Sequence, residues 1–151
     1  MQVQDRQKRV KVYGRPVEAF CCRVLQKLGK TGWALSVAFV GPKAMQAINQ
    51  AYRGRNYPTD VLSFNYPGET IDGIPFLGEI IVAPTVAWAQ ARDAAGGGER
   101  EVRKLLVHGI LHLLGYDHET DRGEMNRLQQ RILRSSVFRH SAPVAGLRNA
   151  S

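Results

Sequence analysis

His108-Gly109-Ile110-Leu111-His112-Leu113-Leu114-Gly115-Tyr116-Asp117-His118 is the stretch from which the rest of the chain can be placed. His108 and His112 are four residues apart, which on a helix sets them on one face, one turn from each other. Gly115 can then take the left-handed conformation that ends a helix, turning the chain so that His118 comes back toward the first two. Three neutral imidazoles with an open fourth position describe a catalytic zinc site rather than a closed structural one. An all-imidazole set favours zinc, with nickel or copper as alternative occupants in vitro. The chain has only 4 histidines in 151 residues, so the clustering of three in this segment sets them apart from isolated helix-face histidines.

The spacing resembles the long metzincin zinc signature, His-Glu-x-x-His-x-x-Gly-x-x-His. Gly109 stands where those proteases carry a glutamate that takes a proton from the attacking water. The metal ligands are present and the peptidase base is missing.

A fuller resemblance is to the YbeY family of bacterial rRNA-maturation endoribonucleases. Its hallmark is similar to His-Gly-x-Leu-His-Leu-x-Gly-Tyr-Asp-His, and every fixed position is met between His108 and His118. A second block comprises Asn49, then Tyr52-Arg53-Gly54, then Pro58-Thr59-Asp60-Val61-Leu62-Ser63-Phe64. A third, Leu77-Gly78-Glu79-Ile80, looks like the family's Leu-Gly-Asp-Ile strand with Glu79 in place of aspartate. The match runs from about residue 33 to about residue 138.

The resemblance implies a zinc-dependent, single-strand-specific endoribonuclease with one zinc per chain, held by His108, His112 and His118. It implies a role in 16S rRNA 3′-end maturation and ribosome quality control. It places the family's essential arginine at Arg53, catalytic together with His112, and Arg55 is the neighbour that would share substrate binding. Partners implied are single-stranded rRNA, the ribosomal small subunit with one of its proteins, and a ribosome-assembly GTPase; DNA is not expected.

Composition is compatible with this. The length is that of one domain, and 44% apolar residues is ordinary for a globular protein. No run approaches the length of a membrane span. The first thirteen residues are polar and basic and do not read as a secretory signal. Cys21 and Cys22 are adjacent and without other partners, so reduced thiols and a cytoplasmic location are expected. The net charge is +8, and after Glu124 no acidic residue follows while Arg127, Arg131, Arg134, Arg139 and Arg148 do. Such asymmetry suits a polyanion, since each phosphate contacted releases counterions.

Periodicity and turn residues predict an α+β fold with one mixed sheet of about four strands, about five helices, and the zinc site at a helix end. An edge strand is expected at residues 9–13 and a helix over about 16–28. A buried strand follows at 33–40, then a helix over 43–52. Residues 53–58 read as a polar loop and 60–64 as a strand. Two turn signals make 66–75 a hairpin-like excursion. The nearly all-apolar stretch 76–83 reads as the central strand. A third helix runs from 84 to about 95, with Gly96-Gly97-Gly98 as a flexible joint. The motif helix spans 99 to about 114, and a last helix runs from 121 to about 133 with a continuation toward Phe138. Residues 1–138 form a single endoribonuclease domain on this reading, and 139–151 a disordered basic tail.

Around the histidines, Asp117 either hydrogen-bonds a ligand imidazole as an outer partner or caps the following turn. Tyr116 either stacks on a base or belongs to the core. Thr59, Asp60 and Ser63 either line the cleft or, in the case of Asp60, start the strand. His140 is not read as a ligand. Two other functions compete with the nuclease: a metal-dependent hydrolase of another substrate, with Glu79 swinging in as base, and a non-catalytic ribosome-assembly factor with structural zinc.

Overall fold

The computed structural model describes residues 1–91, 97–135 and 142–147. Its main sheet runs in the order β1 (Gln2–Arg6), β3 (Ala34–Val40), β6 (Ile74–Val82) and β4 (Val61–Asn65). β1, β3 and β6 are mutually parallel, β4 is antiparallel to β6, and the two-residue β5 (Thr70–Ile71) folds back on β6 as a hairpin. A separate ribbon pairs β2 (Val10–Val12) with β7 (Ala145–Leu147). The helices are α1 (Gly14–Lys27), α2 (Pro42–Arg53), α3 (Pro84–Ala91), α4 (Gly97–Leu113) and α5 (Glu124–Leu133).

Alternation along the strands divides the apolar side chains between two faces. Val37 and Phe39 of β3 and Ile80 and Val82 of β6 join Val17, Phe20 and Val24 of α1 and Leu106 and Ile110 of α4 in the main core. On the other face, Val40, Leu62 and Ile81 meet Met45 and Ile48 of α2 in a smaller cluster. The apolar run in β6 is thus explained as expected: it is paired on both edges and covered on both faces.

α4 lies unusually close to the sheet. A Cβ at Gly109 would come within 2.8 Å of Ile80 Cγ2, and one at Gly78 within 2.8 Å of Leu113 Cδ2. Gly109 therefore has a packing reason. A glutamate at that position has no room, which removes the metalloprotease base on steric grounds.

Several expectations need correction. The strand near residues 9–13 exists but does not edge the main sheet; β2 pairs with β7 instead. The edge is β1, whose polar sequence hides it, because an edge strand needs only a backbone partner on one side. The tail is not disordered throughout. Val144 and Ala145 are buried, the Val144 carbonyl accepts from Tyr13 N at 3.0 Å, and β7 follows. Gly97 and Gly98 are not a joint either. Both lie within α4, and Gly98 sits so close to the Trp88 indole that a Cβ would overlap it. Gly96, the extension of the last helix toward Phe138, and His140 lie outside the described residues. α5 begins at Glu124 rather than 121, with Asp121 accepting from Gly123 N at 2.8 Å and Met125 N at 2.9 Å just ahead of it.

Candidate metal centre

The C-terminal end of α4 is a Schellman turn. Tyr116 N donates to the Leu111 carbonyl and Gly115 N to the His112 carbonyl, both at 3.0 Å, with Gly115 at φ +98°. This turn carries His118 back against its partners. The ring centroids of His108, His112 and His118 lie 4.6, 5.3 and 5.4 Å apart. One ligand nitrogen from each falls within 4.8 Å of the others. His108 Nε2 and His112 Nε2 are 3.1 Å apart. Tetrahedral zinc with Zn–N bonds of 2.0–2.1 Å would set them about 3.3 Å apart, so the pair is already spaced for one ion.

The remaining nitrogen of His108 faces α5, with Nδ1 3.0 Å from Gln129 Oε1. An amide oxygen only accepts, so the contact puts the proton on Nδ1 and leaves the Nε2 lone pair for a metal. Burial pushes the His108 and His112 imidazoles below the usual histidine range, opposed at His108 by the Gln129 contact. Both are held in the neutral form a ligand must have.

These histidines form one wall of a cleft of about 580 Å³, whose other lining includes Arg53, Thr59, Asp60, Ser63 and Asn65. Arg53 is the last residue of α2, and Gly54 ends that helix in the left-handed conformation. The loop beyond is tied down by buried Asn49, whose Nδ2 donates to the Tyr57 carbonyl at 2.9 Å. Ser63 Oγ donates to the Gly109 carbonyl at 3.4 Å, joining β4 to the metal helix.

The profile of the family described as Endoribonuclease YbeY matches residues 2–136. An Endoribonuclease YbeY of Alkaliphilus metalliredigens is 35% identical over 142 residues, covering 87% of this chain and 91% of the relative. The chain belongs to the endoribonuclease YbeY family. A Thermodesulfovibrio yellowstonii YbeY is 46% identical over 102 residues, covering 66% of this chain and 64% of the relative. A solution structure of a Thermotoga maritima protein superposes with a TM-score of 0.57 at 29% identity, over 88% of this chain and 87% of that one. Membership assigns the chain to the metal-dependent endoribonucleases, and no helix among the described residues is long and apolar enough to cross a membrane.

Within the YbeY fold, the residues singled out by sequence separate. Arg53, Thr59, Asp60, Ser63, Tyr116 and Asp117 line the histidine cleft. Asp60 also does what a strand-starting residue does, its carbonyl accepting from Ala83 N at 2.8 Å. Arg55 is exposed beside the cleft, and its Nη1 donates to Tyr57 Oη at 3.3 Å. Asp117 Oδ1 accepts from Glu119 N at 3.0 Å, the turn-capping alternative. Glu79 does not line the histidine cleft. It is opposite Phe64 in the ladder, on the face turned toward α2, whereas Ile80 faces Gly109. Sequence reasoning missed Gln129, the side chain that orients His108. Its trace in the sequence is a polar residue at i+4 from Met125 and i−3 from Ile132, on the stripe that the structure buries.

Proposed function

We propose that the chain is a zinc-dependent, single-strand-specific endoribonuclease that acts in 16S rRNA 3′-end maturation and ribosome quality control. The observation that carries the reading is the convergence of three imidazoles and one arginine on a single polar cleft. When bound, a zinc ion supplies a coordinated water acidified toward neutrality and a Lewis acid for a phosphoryl oxygen. His108, His112 and His118 would hold it, and Gln129 keeps His108 in the required tautomer.

Arg53 supplies the other half of the chemistry. Negative charge accumulates on the phosphoryl oxygens as the bond breaks, and a guanidinium fork donates two hydrogen bonds to such oxygens. Arg53 lies at a helix end in the lining of the cleft, beside a loop anchored by Asn49, within reach of a bound phosphate. Tyr116, about one-third exposed, offers a ring on which an unpaired base can stack. An unpaired strand also reaches a recessed site more readily than a duplex does. The rRNA assignment, the small-subunit protein and the assembly GTPase rest on the family resemblance, as does the preference for RNA over DNA.

The test is zinc content by elemental analysis, paired with cleavage of single-stranded rRNA by the wild type and His112→Ala. About one zinc per chain, with cleavage lost in a folded variant, is the expected result. Stoichiometric zinc without cleavage from nuclease-free protein would move the assignment to a ribosome-assembly factor or a metal-dependent hydrolase of another substrate.

A further inference from the structure

α5 has two working faces. Gln129 points to His108, and Met125 and Ile132 are buried with it against the core. At 3.6 residues per turn, Arg127, Arg131 and Arg134 fall about 140–160° around the helix from Gln129. All three are exposed. They line a groove of about 650 Å³ with Lys27, the last residue of α1, and with Asn126, Gln130 and Ser135. No acidic side chain lines that groove. Among the described residues Lys27, Arg131 and Arg134 form no ion pair, and Arg127 donates to the Arg122 carbonyl at 3.1 Å.

Arginines at i, i+4 and i+7 repel one another, and a bound anion would offset that repulsion. The arrangement makes sense with an anion in place. Three guanidinium forks in a row, about 10 Å from end to end, suit a chain of phosphates better than a single carboxylate. The groove stands only one helix diameter, about 10–12 Å, from the metal side of α5. A polymer passing through the cleft has that distance to cover.

We propose that the outer face of α5, with Lys27, is a second RNA-contacting surface that grips the phosphate backbone flanking the scissile site. The inference rests on the endoribonuclease reading for the identity of the polymer. Contacts to phosphate carry no sequence information, so the surface sets affinity and register rather than the bond cut.

The experiment compares wild type with an Arg127→Gln, Arg131→Gln, Arg134→Gln triple variant on two probes. One is an RNA hexanucleotide confined to the cleft; the other carries the same sequence between stem-loops. The expected result is at least about a tenfold loss of kcat/KM on the long RNA, with the hexanucleotide cut within twofold of wild type. Binding of the long RNA, measured with His112→Ala as background, should show a log Kd against log salt slope shallower by about 2 to 3. Melting temperature is the control, since exposed arginines touch no core. Equal effects on both RNAs, or no effect on either, overturn the proposal; in the second case an acidic protein becomes the occupant to test. Because binding is read in a cleavage-dead background, RNA binding with the predicted slope but no cleavage by wild type would sink the nuclease reading and leave this surface standing.

Discussion

The two ends of α4 hold polar groups for opposite purposes. At the N-terminal end, Glu99 Oε1 accepts from Arg103 Nε at 2.5 Å and from Val144 N at 3.0 Å, while Arg103 Nη2 donates to the Ala142 carbonyl at 3.4 Å. Glu99 and Arg103 are satisfied by partners within the chain, and the cluster fastens the returning tail to the core. At the C-terminal end, three imidazoles turn nitrogens toward one another, a placement suited to a shared cation. The cavity beside Glu99 and Arg103 is the larger, about 700 Å³ against 580 Å³. Volume therefore does not separate a site from a seam. The balance of donors and acceptors does.

The sharpest way to break this contrast is to remove one charge facing the histidines, Arg53 of α2, and one at the N-terminal end of α4. Arg53→Ala should lower kcat on single-stranded RNA by about 10²–10³, the cost of losing one donor to a developing oxyanion, with zinc content and melting temperature unchanged. Unchanged cleavage would discredit the role given to Arg53. Glu99→Ala should do the reverse. Taking the Glu99 acceptor from Arg103 Nε and the Val144 N–H should cost about 1–3 kcal/mol of stability in denaturant titration, while kcat/KM at a permissive temperature stays within about twofold. A catalytic defect in folded Glu99→Ala would erase the distinction between the ends.

A finer probe lies between them. Gln129→Ala removes the acceptor that fixes the His108 tautomer and should weaken zinc binding by about 10–100-fold, read by competition with a chelator. The apolar packing of α5 through Met125 and Ile132 is untouched. Equal zinc affinity in wild type and variant would mean that the helix alone orients His108.

The same two ends explain what the sequence could reveal. The histidine cradle was legible because its parts are local: a helical turn, a left-handed glycine and a short return. Asn49 and Arg53 were picked out only by the family resemblance, not by spacing or periodicity. Gln129 is 21 residues from His108 and comes from another helix, so no spacing rule reaches it. The β2–β7 ribbon was harder still. Val10 pairs with Leu147 across nearly the whole chain, and the short tail strand was masked by Ala, Gly and Pro, residues that otherwise signal disorder. Gly109 shows the converse. Its identity was read as a missing catalytic group, and only the packing of α4 on Ile80 gives the reason it must be small.

The smallest predicted effect concerns acid stability of the metal-free protein. Burial, reinforced by the neighbouring imidazoles, depresses the folded-state pKa of His108 and His112. In the unfolded chain each titrates near 6.5. Above that value both states are neutral and the histidines contribute no pH dependence. As pH falls below about 6.5 the unfolded chain takes up protons first, so stability is lost progressively until the folded pKa values are passed. Asp121 behaves likewise at lower pH. The Met125 and Gly123 N–H groups hold its carboxyl below the ordinary range, so its contribution survives until the pH falls through the carboxylate region. Melting temperature of the metal-free wild type should therefore begin to drop below about pH 6.5 and drop again below about pH 4. In His108→Gln the first decline should be shallower and the second unchanged. The histidines are only part-buried and water screens them, which keeps the first step modest. Identical first steps in the two proteins would show that protonation at the cleft is not coupled to folding.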